Sequence, residues 1–435
     1  MFRTLKNAWN VPDLRNKILF TLLIIVLYRL GACIVVPYVN TAVLSSFDQV
    51  YGGTALGFMS ILSGGALSQA TLFALGVSPY ITAQIVMQLL AIAIPPLERL
   101  AKQEDGQKKI NKITRYVTIA LALVTAYGYT TLLDTNGWLV DSGSKVFAYF
   151  VMILCFTAGA FMVMWLGDQI NERGIGNGIS IILFANIISR LPNMAMTIWG
   201  WSTDGGFNVG GFFAAIAVVV CIVGLVILSV WFTNSERRIP VQYAKRVVGR
   251  KMYGGQGTNL PLKMNMAGVM PIIFASSIVS IPATIVQMFG INTESGFGWF
   301  VNNFLNTKSA GGWLYIVLYL LLLVAFSYFY IMISFNPVEV SNNIKNNGGA
   351  VPGVRPGKPT ADFIKKILNR VTFIGAVFLG IVACLPMVAG IISPENIGNL
   401  AFGGSSLLIV VGVALETVHE LEAQLTMRNY KGFLD

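Results

Sequence analysis

The sequence has very few of the residues on which enzymes and metal sites depend. It contains one histidine, His419, and four cysteines, each inside an apolar run and without a paired spacing: Cys33, Cys155, Cys221 and Cys384. The phosphate-binding loop motif, the HExxH zinc motif and the CxxC pair are also missing. A single histidine is almost too little to build a histidine-based metal site or a catalytic triad. We expect no catalytic residue, no metal and no cofactor.

Charged residues are scarce as well. They make up 11% of the chain, whereas 55% is apolar, and the mean hydropathy is +0.69. These values exclude an ordinary soluble protein and predict a polytopic membrane protein. The apolar signal lies in long runs, which is typical of spanning helices. The basic N-terminus leads into the first run without a small-residue cleavage site, which favours a retained span over a removable signal peptide.

Ten apolar runs are candidate membrane spans, of which the fifth is short. They cover residues 18–36, 76–94, 113–132, 146–166, 179–191, 211–232, 266–289, 313–333, 367–392 and 401–418. We predict an all-α membrane protein in two halves of five spans, residues 1–191 and 211–423, with an outer connection at 192–210 and a tail at 424–435. Since the two halves enter the membrane from opposite sides, they suit an inverted repeat.

Positive charge is distributed unequally between the two sides of the membrane. With the N-terminus inside, 26 of the 30 Lys and Arg residues fall in inner segments, and only Lys145, Arg190 and Lys308 fall outside. By the positive-inside rule, both termini are predicted to be cytoplasmic. Arg29 lies within the first span, where we favour a structural role, with hydrogen bonds donated to neighbouring carbonyl groups, over the alternative that it serves a transport pathway.

Two inner loops, residues 233–265 and 336–366, are much longer than a helix connection needs. Alternation at 239–247 permits a hairpin, whereas the Gly and Pro content of the second loop forbids a long helix. We favour docking surfaces for a cytosolic partner, and contact with ribosomal RNA would be sensitive to salt. Nothing indicates DNA binding. The alternative is that the charges only orient the chain and attract anionic lipid.

Residues 51–97 form a long uncharged stretch that cannot be one span. As a single helix it would be about 70 Å long, roughly twice the hydrocarbon thickness of a bilayer. Gly64, Gly65, Gly76 and Pro79 are the expected break points. We predict a half-helix at 57–72 followed by the second span. A broken segment at membrane depth indicates a pathway through the protein or, equally well on this stretch alone, a re-entrant loop of purely structural use.

Six segments of the chain, in order and at the expected spacing, resemble the SecY/Sec61-alpha family of protein-conducting channels. They are ILSGGALSQATLFALGVSPYITAQIVMQLL (61–90), MWLGDQINERGIGNGISI (164–181), ERRIPVQYAKRVVGR (236–250), LPLKMNMAGVMPIIFASSI (260–278), GVRPGKPT (353–360) and AFGGSSLLIVVGVALE (401–416). The resemblance implies a ten-helix clamshell, hinged between the fifth and sixth spans, around an hourglass pore. It also implies the cytoplasmic membrane of a bacterium as the location.

The resemblance assigns roles to particular positions. The pore narrows at a ring of aliphatic side chains, here Val77, Ile81, Leu183, Ile187, Ile273 and Ile409. A plug closes it from outside, at Phe58, Leu62, Ser63, Gly64, Gly65 and Leu67. Gln88 and Asn265 match polar positions of a lateral gate. Residues that match contacts with the ribosome and the motor ATPase are Arg238, Lys245, Arg246, Arg250 and Arg355.

The function implied by the resemblance is passive. Unfolded polypeptides pass outward, and apolar segments are released sideways into lipid. The implied partners are SecE, SecG, the ATPase SecA, ribosomes, signal peptides and nascent chains. An alternating-access secondary transporter is the rival, since inverted repeats and a broken helix are typical of that class too. Against it, the spans lack the mid-membrane carboxylates that ion coupling commonly uses.

Overall fold

The structure is a computed structural model that describes most of the chain. The described residues are 8–40, 44, 47, 51, 55–101, 103, 105–140, 144–203, 209–243, 246–248, 251–253, 257–288, 290–291, 296–305, 312–392 and 403–431. The main helices, numbered along the chain, are α1 (Pro12–Gly31), α2 (Ala55–Leu62), α3 (Ser78–Ala93), α4 (Pro95–Ala101), α5 (Gly106–Thr135), α6 (Lys145–Arg173), α7 (Gly178–Thr203), α8 (Val209–Thr233), α9 (Met270–Met288), α10 (Gly296–Phe304), α11 (Trp313–Ser334), α12 (Pro337–Asn346), α13 (Lys358–Ile392) and α14 (Gly403–Lys431).

Each of the ten predicted spans overlaps one of these helices: α1, α3, α5, α6, α7, α8, α9, α11, α13 and α14. Among the described residues, six helices are long and apolar enough to cross a membrane, and α3 with α4 would make a seventh if this pair, bent by 106°, is one broken span and not a re-entrant loop. The helix α9 is an apolar helix of shorter length. The α1 and α14 helices carry charged residues beside their apolar runs.

The fifth span is longer than predicted. We placed its end at Leu191, before a proline, but α7 includes Pro192 and continues to Thr203. Most of the predicted outer connection is therefore helical. Proline is tolerated within membrane helices because neighbouring groups satisfy the freed carbonyl. The residues that follow are also mostly apolar, and Ile198 is buried.

The predicted half-helix is shorter than expected. We extended it to residue 72, whereas α2 ends at Leu62. Gly64 and Gly65 adopt positive φ angles of 67° and 90°, which favour glycine and terminate a helix. The Gly65 N–H donates to the Ser60 carbonyl at 2.8 Å, which closes the last turn. We call residues 55–76, which comprise α2 and the turns after it, the plug segment.

The plug segment returns along the end of α1 and packs closely on α6. An antiparallel bridge joins Val35 to Thr71, with the Leu72 N–H donating to the Ile34 carbonyl at 2.8 Å. A Cβ added to Gly159 of α6 would lie 1.8 Å from the Leu72 carbonyl oxygen. Only glycine therefore permits this approach of helix and turn.

The two long inner loops fold together into one small unit, which the sequence did not predict. Strand β1 (Glu236–Tyr243) pairs antiparallel with β4 (Gly257–Lys263) and with β5 (Gly349–Ala350) of the other loop, in the order β4-β1-β5. The short strands β2 (Arg246–Val248) and β3 (Lys251–Tyr253) form a separate hairpin. The core of the unit joins both loops through Ile239, Val241, Leu262, Ile344, Val351, Ile364 and Leu368.

We expect Gly159→Ala to destabilise the protein, because the added methyl group collides with a backbone carbonyl that cannot rotate away. The cost is about 1–3 kcal/mol, to be measured as a lower melting temperature in detergent. Gly224→Ala in α8 is the matched control, since nothing lies within 4 Å of its added Cβ. Alanine favours helix there, so this variant should be neutral or slightly stabilising. Equal melting temperatures for both variants would contradict the close packing.

Candidate functional site

The six predicted ring positions come together at the centre of the helical bundle. They come from four helices that are distant in sequence: Val77 at the start of α3, Ile81 on α3, Leu183 and Ile187 on α7, Ile273 on α9 and Ile409 on α14. Each is at most 3% exposed, and all six belong to one contiguous cluster of buried apolar residues. None of these side chains carries a hydrogen-bonding group, so together they form an apolar constriction.

The spacing on α7 explains how one helix supplies two members of this cluster. Leu183 and Ile187 are four residues apart and therefore share one helical face. Val77 and Ile81 have the same spacing across the first turn of α3. Each pair therefore adds two aliphatic side chains to the same cluster, and an apolar constriction of this kind can exclude water and ions by dewetting.

The plug segment lies against this constriction. Phe58 and Leu62 of α2 belong to the same buried cluster as the six ring positions. Leu67 is buried too, but in a neighbouring cluster with Tyr129 and Phe156. Phe58 and Leu62 thus form buried contacts with the ring positions, and Gly64 and Gly65 make the turn that follows Leu62. These are four of the six predicted plug residues.

Ser63 holds the turn together internally. Its hydroxyl donates to the Ser60 carbonyl at 3.1 Å and accepts from the Leu67 N–H at 3.1 Å. The Tyr129 hydroxyl of α5 then donates to the Leu67 carbonyl at 2.5 Å. The backbone polar groups of the plug segment are therefore partly satisfied by side chains, which irregular chain at membrane depth requires.

Two residues of α7 that sequence reasoning missed also hold the plug segment. The Asn186 side-chain amide donates to the Leu62 carbonyl at 2.8 Å, and Arg190 donates to the hydroxyls of Ser60 and Ser68 at 2.9 and 3.2 Å. We had counted Arg190 among the outer cations. Their spacing was the available signal, because each lies three residues after a ring position of the same helix. Arg29 donates to the Ala185 carbonyl at 2.7 Å, as expected.

A more polar cavity of about 200 Å³ adjoins the constriction. Ile81 and Ile273 form part of its wall, and side-chain amides supply much of the rest, namely Gln84, Asn111, Asn171 and Asn177. Hydrogen-bonding groups therefore lie directly beside two of the six ring positions. An extended polypeptide could exchange water for amide contacts in this cavity.

At the predicted lateral gate the helices pack against one another, but the side-chain amides of Gln88 and Asn265 are not paired through the Gln88 oxygen. The α9 helix packs against α3 and α5, and an apolar cavity of about 220 Å³ lies among them, with Met59 and Leu67 of the plug segment in its wall. Gln88 lies on α3, and half-buried Asn265 lies between β4 and α9. The buried Gln88 Oε1 has no hydrogen-bond partner in the described part of the chain, so it does not accept from Asn265.

Two of the five predicted docking residues, Arg238 and Arg355, lie on the inner-loop unit, which is the small unit formed by β1, β4, β5 and the chain that packs on them. Arg238 of β1 is exposed and pairs with Glu236 at 2.6 Å. Arg355 is exposed in a turn whose backbone is held by Thr360, which donates to the Arg355 carbonyl at 2.8 Å. Arg246 is in β2. Lys245 and Arg250 lie outside the described residues. Across the described residues, no group of three or more His, Cys, Asp or Glu is placed to hold a metal ion.

Comparisons with known proteins agree with this architecture. The SecY family profile matches residues 71–418. A protein translocase subunit SecY of Streptomyces coelicolor is 45% identical over 448 residues, with 100% of each chain covered. A solved structure titled for the SecY plug domain, which "stablizes the closed state of the translocation channel", has a TM-score of 0.67 at 18% identity and covers 94% of this chain and 92% of its own.

Sec61 in the canine ribosome-channel complex has a TM-score of 0.63 at 17% identity, with the same coverage of 94% and 92%. At such identities the solved structures establish the fold, and they confirm the predicted ten-helix clamshell. The profile spans most of the chain and the Streptomyces relative spans all of it. The chain is a member of the SecY family.

Proposed function

We propose that this chain is a protein-conducting channel of the bacterial cytoplasmic membrane, and that it is not an enzyme. It passes unfolded secretory polypeptides across the bilayer and releases transmembrane segments sideways into lipid. One observation carries the proposal: four distant helices supply six buried aliphatic side chains, and Phe58 and Leu62 of an irregular, uncharged segment pack on them. The family membership and the relatives named as translocase subunits support it.

The closed channel is sealed by the aliphatic ring and the plug segment together. Aliphatic side chains suit a ring that must close around any sequence, because they form no specific hydrogen bonds and adapt by rotamer changes. Opening exposes Phe58 and Leu62 to a water-filled passage, at a cost of about 1.5–3 kcal/mol for each side chain. Chain insertion must supply that free energy.

Sideways release takes place between α3 and α5 on one side and α9 and α11 on the other. The apolar cavity at this junction suits the hydrophobic part of a signal peptide. Gln88 and Asn265 serve as polar gate positions, and the orphan Gln88 oxygen gives the closed gate a buried group that an opening motion can hydrate. The two halves, of which the first extends through α7 to Thr203, move about the connection between α7 and α8.

The inner-loop unit is the docking surface, and both termini face the cytoplasm. Its exposed Arg238 and Arg355 present charged groups that pair with carboxylates of SecA or with phosphates of ribosomal RNA. Ribosome-bound channels are among the structural neighbours. The apolar window of α8 is only 12% buried within this chain, which leaves a face for SecE, SecG or lipid.

An alternating-access transporter fits the structure less well. Such a protein needs a defined substrate site at mid-membrane. The six central positions here are all aliphatic, and two polar residues of α7 beside them, Asn186 and Arg190, donate to the plug segment. The amides near Ile81 and Ile273 are neutral, whereas ion coupling commonly uses carboxylates. The inner-loop unit would also have no purpose in a small-molecule carrier.

The decisive experiment is translocation of an unfolded secretory precursor into vesicles that contain this chain, its small partner subunit and the motor ATPase. We expect ATP-dependent protection of the precursor from added protease. Vesicles without the chain are the control. Uptake of a small solute driven by an ion gradient, without precursor protection, would favour the transporter instead.

We expect simultaneous replacement of Ile81, Ile273 and Ile409 by Ser to make the resting channel leak ions. Hydroxyl groups hold water in the constriction, so single-channel conductance of the closed protein should rise at least about 10-fold. The matched control replaces Ile188, an exposed aliphatic residue of α7, by Ser. Unchanged conductance in the triple variant would remove these positions from the ring.

Arg355→Glu should impair motor-driven secretion strongly, because it reverses the charge of an exposed docking side chain without disturbing a buried contact. The loss should exceed about 10-fold in initial rate, as expected for a truncated interface anchor. Lys345→Glu on α12, in the same unit, tests whether the charge change alone is responsible. Normal secretion by the Arg355 variant at normal membrane levels would exclude this loop from motor docking.

A further inference from the structure

The contacts of α7 with the plug segment are of a different kind from the apolar ring. Asn186 and Arg190 are four residues apart and share a helical face. That face is offset by three residues from the one that carries Leu183 and Ile187. A single helix therefore presents an apolar seal and, beside it, a row of hydrogen-bond donors.

Both donors contact the plug segment, Asn186 at the end of α2 and Arg190 on either side of the turn that follows it. Asn186 is fully buried, and its amide nitrogen donates to the Leu62 carbonyl at 2.8 Å and to the hydroxyl of Tyr28 at 2.9 Å. Arg190 donates to the Ser60 and Ser68 hydroxyls at 2.9 and 3.2 Å, and so spans the turn that follows α2.

The turn fits these donors closely. A Cβ on Gly64 would lie 2.9 Å from both terminal guanidinium nitrogens of Arg29 and 3.0 Å from Asn186 Oδ1. A Cβ on Gly65 would lie 3.2 Å from a terminal nitrogen of Arg190. The two glycines therefore serve twice, since they supply the positive φ angles of the turn and leave room for two guanidinium groups.

We propose that Asn186 and Arg190 of α7, positioned with the help of Arg29 of α1, form a polar latch that holds the plug segment in the closed channel. The proposal rests on the channel function proposed above and adds the residues that set the closed state. Hydrogen bonds of this kind are directional, whereas the aliphatic ring is not. The ring excludes water, and the latch fixes where the plug segment sits.

The latch also couples closure to the position of α7. Because two ring positions, Leu183 and Ile187, lie on α7 together with both latch residues, a displacement of α7 disturbs the ring and the latch together. The Asn186 Oδ1 atom is buried without a partner within the described part of the chain, which weakens the latch at its centre. A latch that must open for every client should be incomplete in this way.

Conductance of the purified channel complex in planar bilayers tests the latch. Arg190→Gln and Asn186→Leu should each raise the resting conductance about 10-fold, since hydrogen bonds to charged or buried groups are lost. Arg190→Lys keeps the positive charge, but its ammonium group cannot reproduce the guanidinium contacts with both Ser60 and Ser68. Its resting conductance should therefore lie between those of wild type and Arg190→Gln. Thr197→Ala is the matched control on α7 and should leave conductance unchanged. Within the described part of the chain, that exposed hydroxyl donates only to the Asn193 carbonyl of its own helix.

A double-mutant cycle separates the latch from general loosening of the helix. Ser60→Ala with Ser68→Ala removes the acceptors and should raise conductance several-fold by itself. Combined with Arg190→Gln it should add little, since both changes break the same contacts. Full additivity would overturn the latch. If Arg190→Gln does not accumulate in the membrane, the serine pair decides, and wild-type conductance in it would overturn the proposal.

Failure of the latch is distinguishable from failure of the channel function. Wild-type conductance in the latch variants, together with leakage when Ile81, Ile273 and Ile409 are replaced by Ser, would exclude the latch and leave the channel intact. Absence of precursor translocation by the wild-type complex would instead reject the function on which the latch rests.

Discussion

The structure depends on apolar contact between the central aliphatic side chains and two residues of the plug segment. A passage for unfolded chains must close tightly at rest, yet it must bind none of the sequences that pass. Side chains without donors or acceptors meet both requirements, because they exclude water when they touch and grip nothing when they part. Four helices must converge for this contact, and their packing around one buried cluster is the organising feature of the fold.

Glycine makes the closed arrangement possible at a few defined positions. In α1, a Cβ on Gly31 would lie 2.1 Å from the ring of Phe73, and in α6 a Cβ on Gly159 would meet the Leu72 carbonyl. The plug segment can therefore lie flush against two helices. Gly64 and Gly65 turn the chain immediately after α2, so that the irregular backbone lies under donors from α5 and α7.

The inner-loop unit is connected to the membrane part at α9, one of the helices that border the proposed gate. Only residues 264–269 separate the end of β4 from α9. On α13, a Cβ at Gly375 would lie 2.7 Å from the Met264 carbonyl, so this link is packed tightly between two helices. A short, packed connection transmits displacement better than a long flexible one. The proposed docking surface and the proposed gate are therefore close along the chain.

Local sequence was sufficient for the features that have a local cause. Long apolar runs identified the spans, because a bilayer demands about 20 apolar residues per helix. Uncharged glycine-rich chain marked the plug segment, since a backbone break at that depth needs such residues. The ring positions followed only from the family resemblance, as a single aliphatic residue in a membrane helix looks the same whether it faces lipid, core or pore.

Other features were decided by contacts between distant parts of the chain. Pro192 looked like an end to the fifth span, but α7 continues through it to Thr203. The pairing of β1 with β5 joins two loops about 100 residues apart, and neither strand signals the other. Arg190 looked like an ordinary outer cation until the fold placed it over Ser60 and Ser68. Composition and periodicity determined which segments cross the membrane, because those depend on each residue's own transfer free energy. Only the tertiary structure decided which side chains meet at the centre, since that depends on partners far away in the chain.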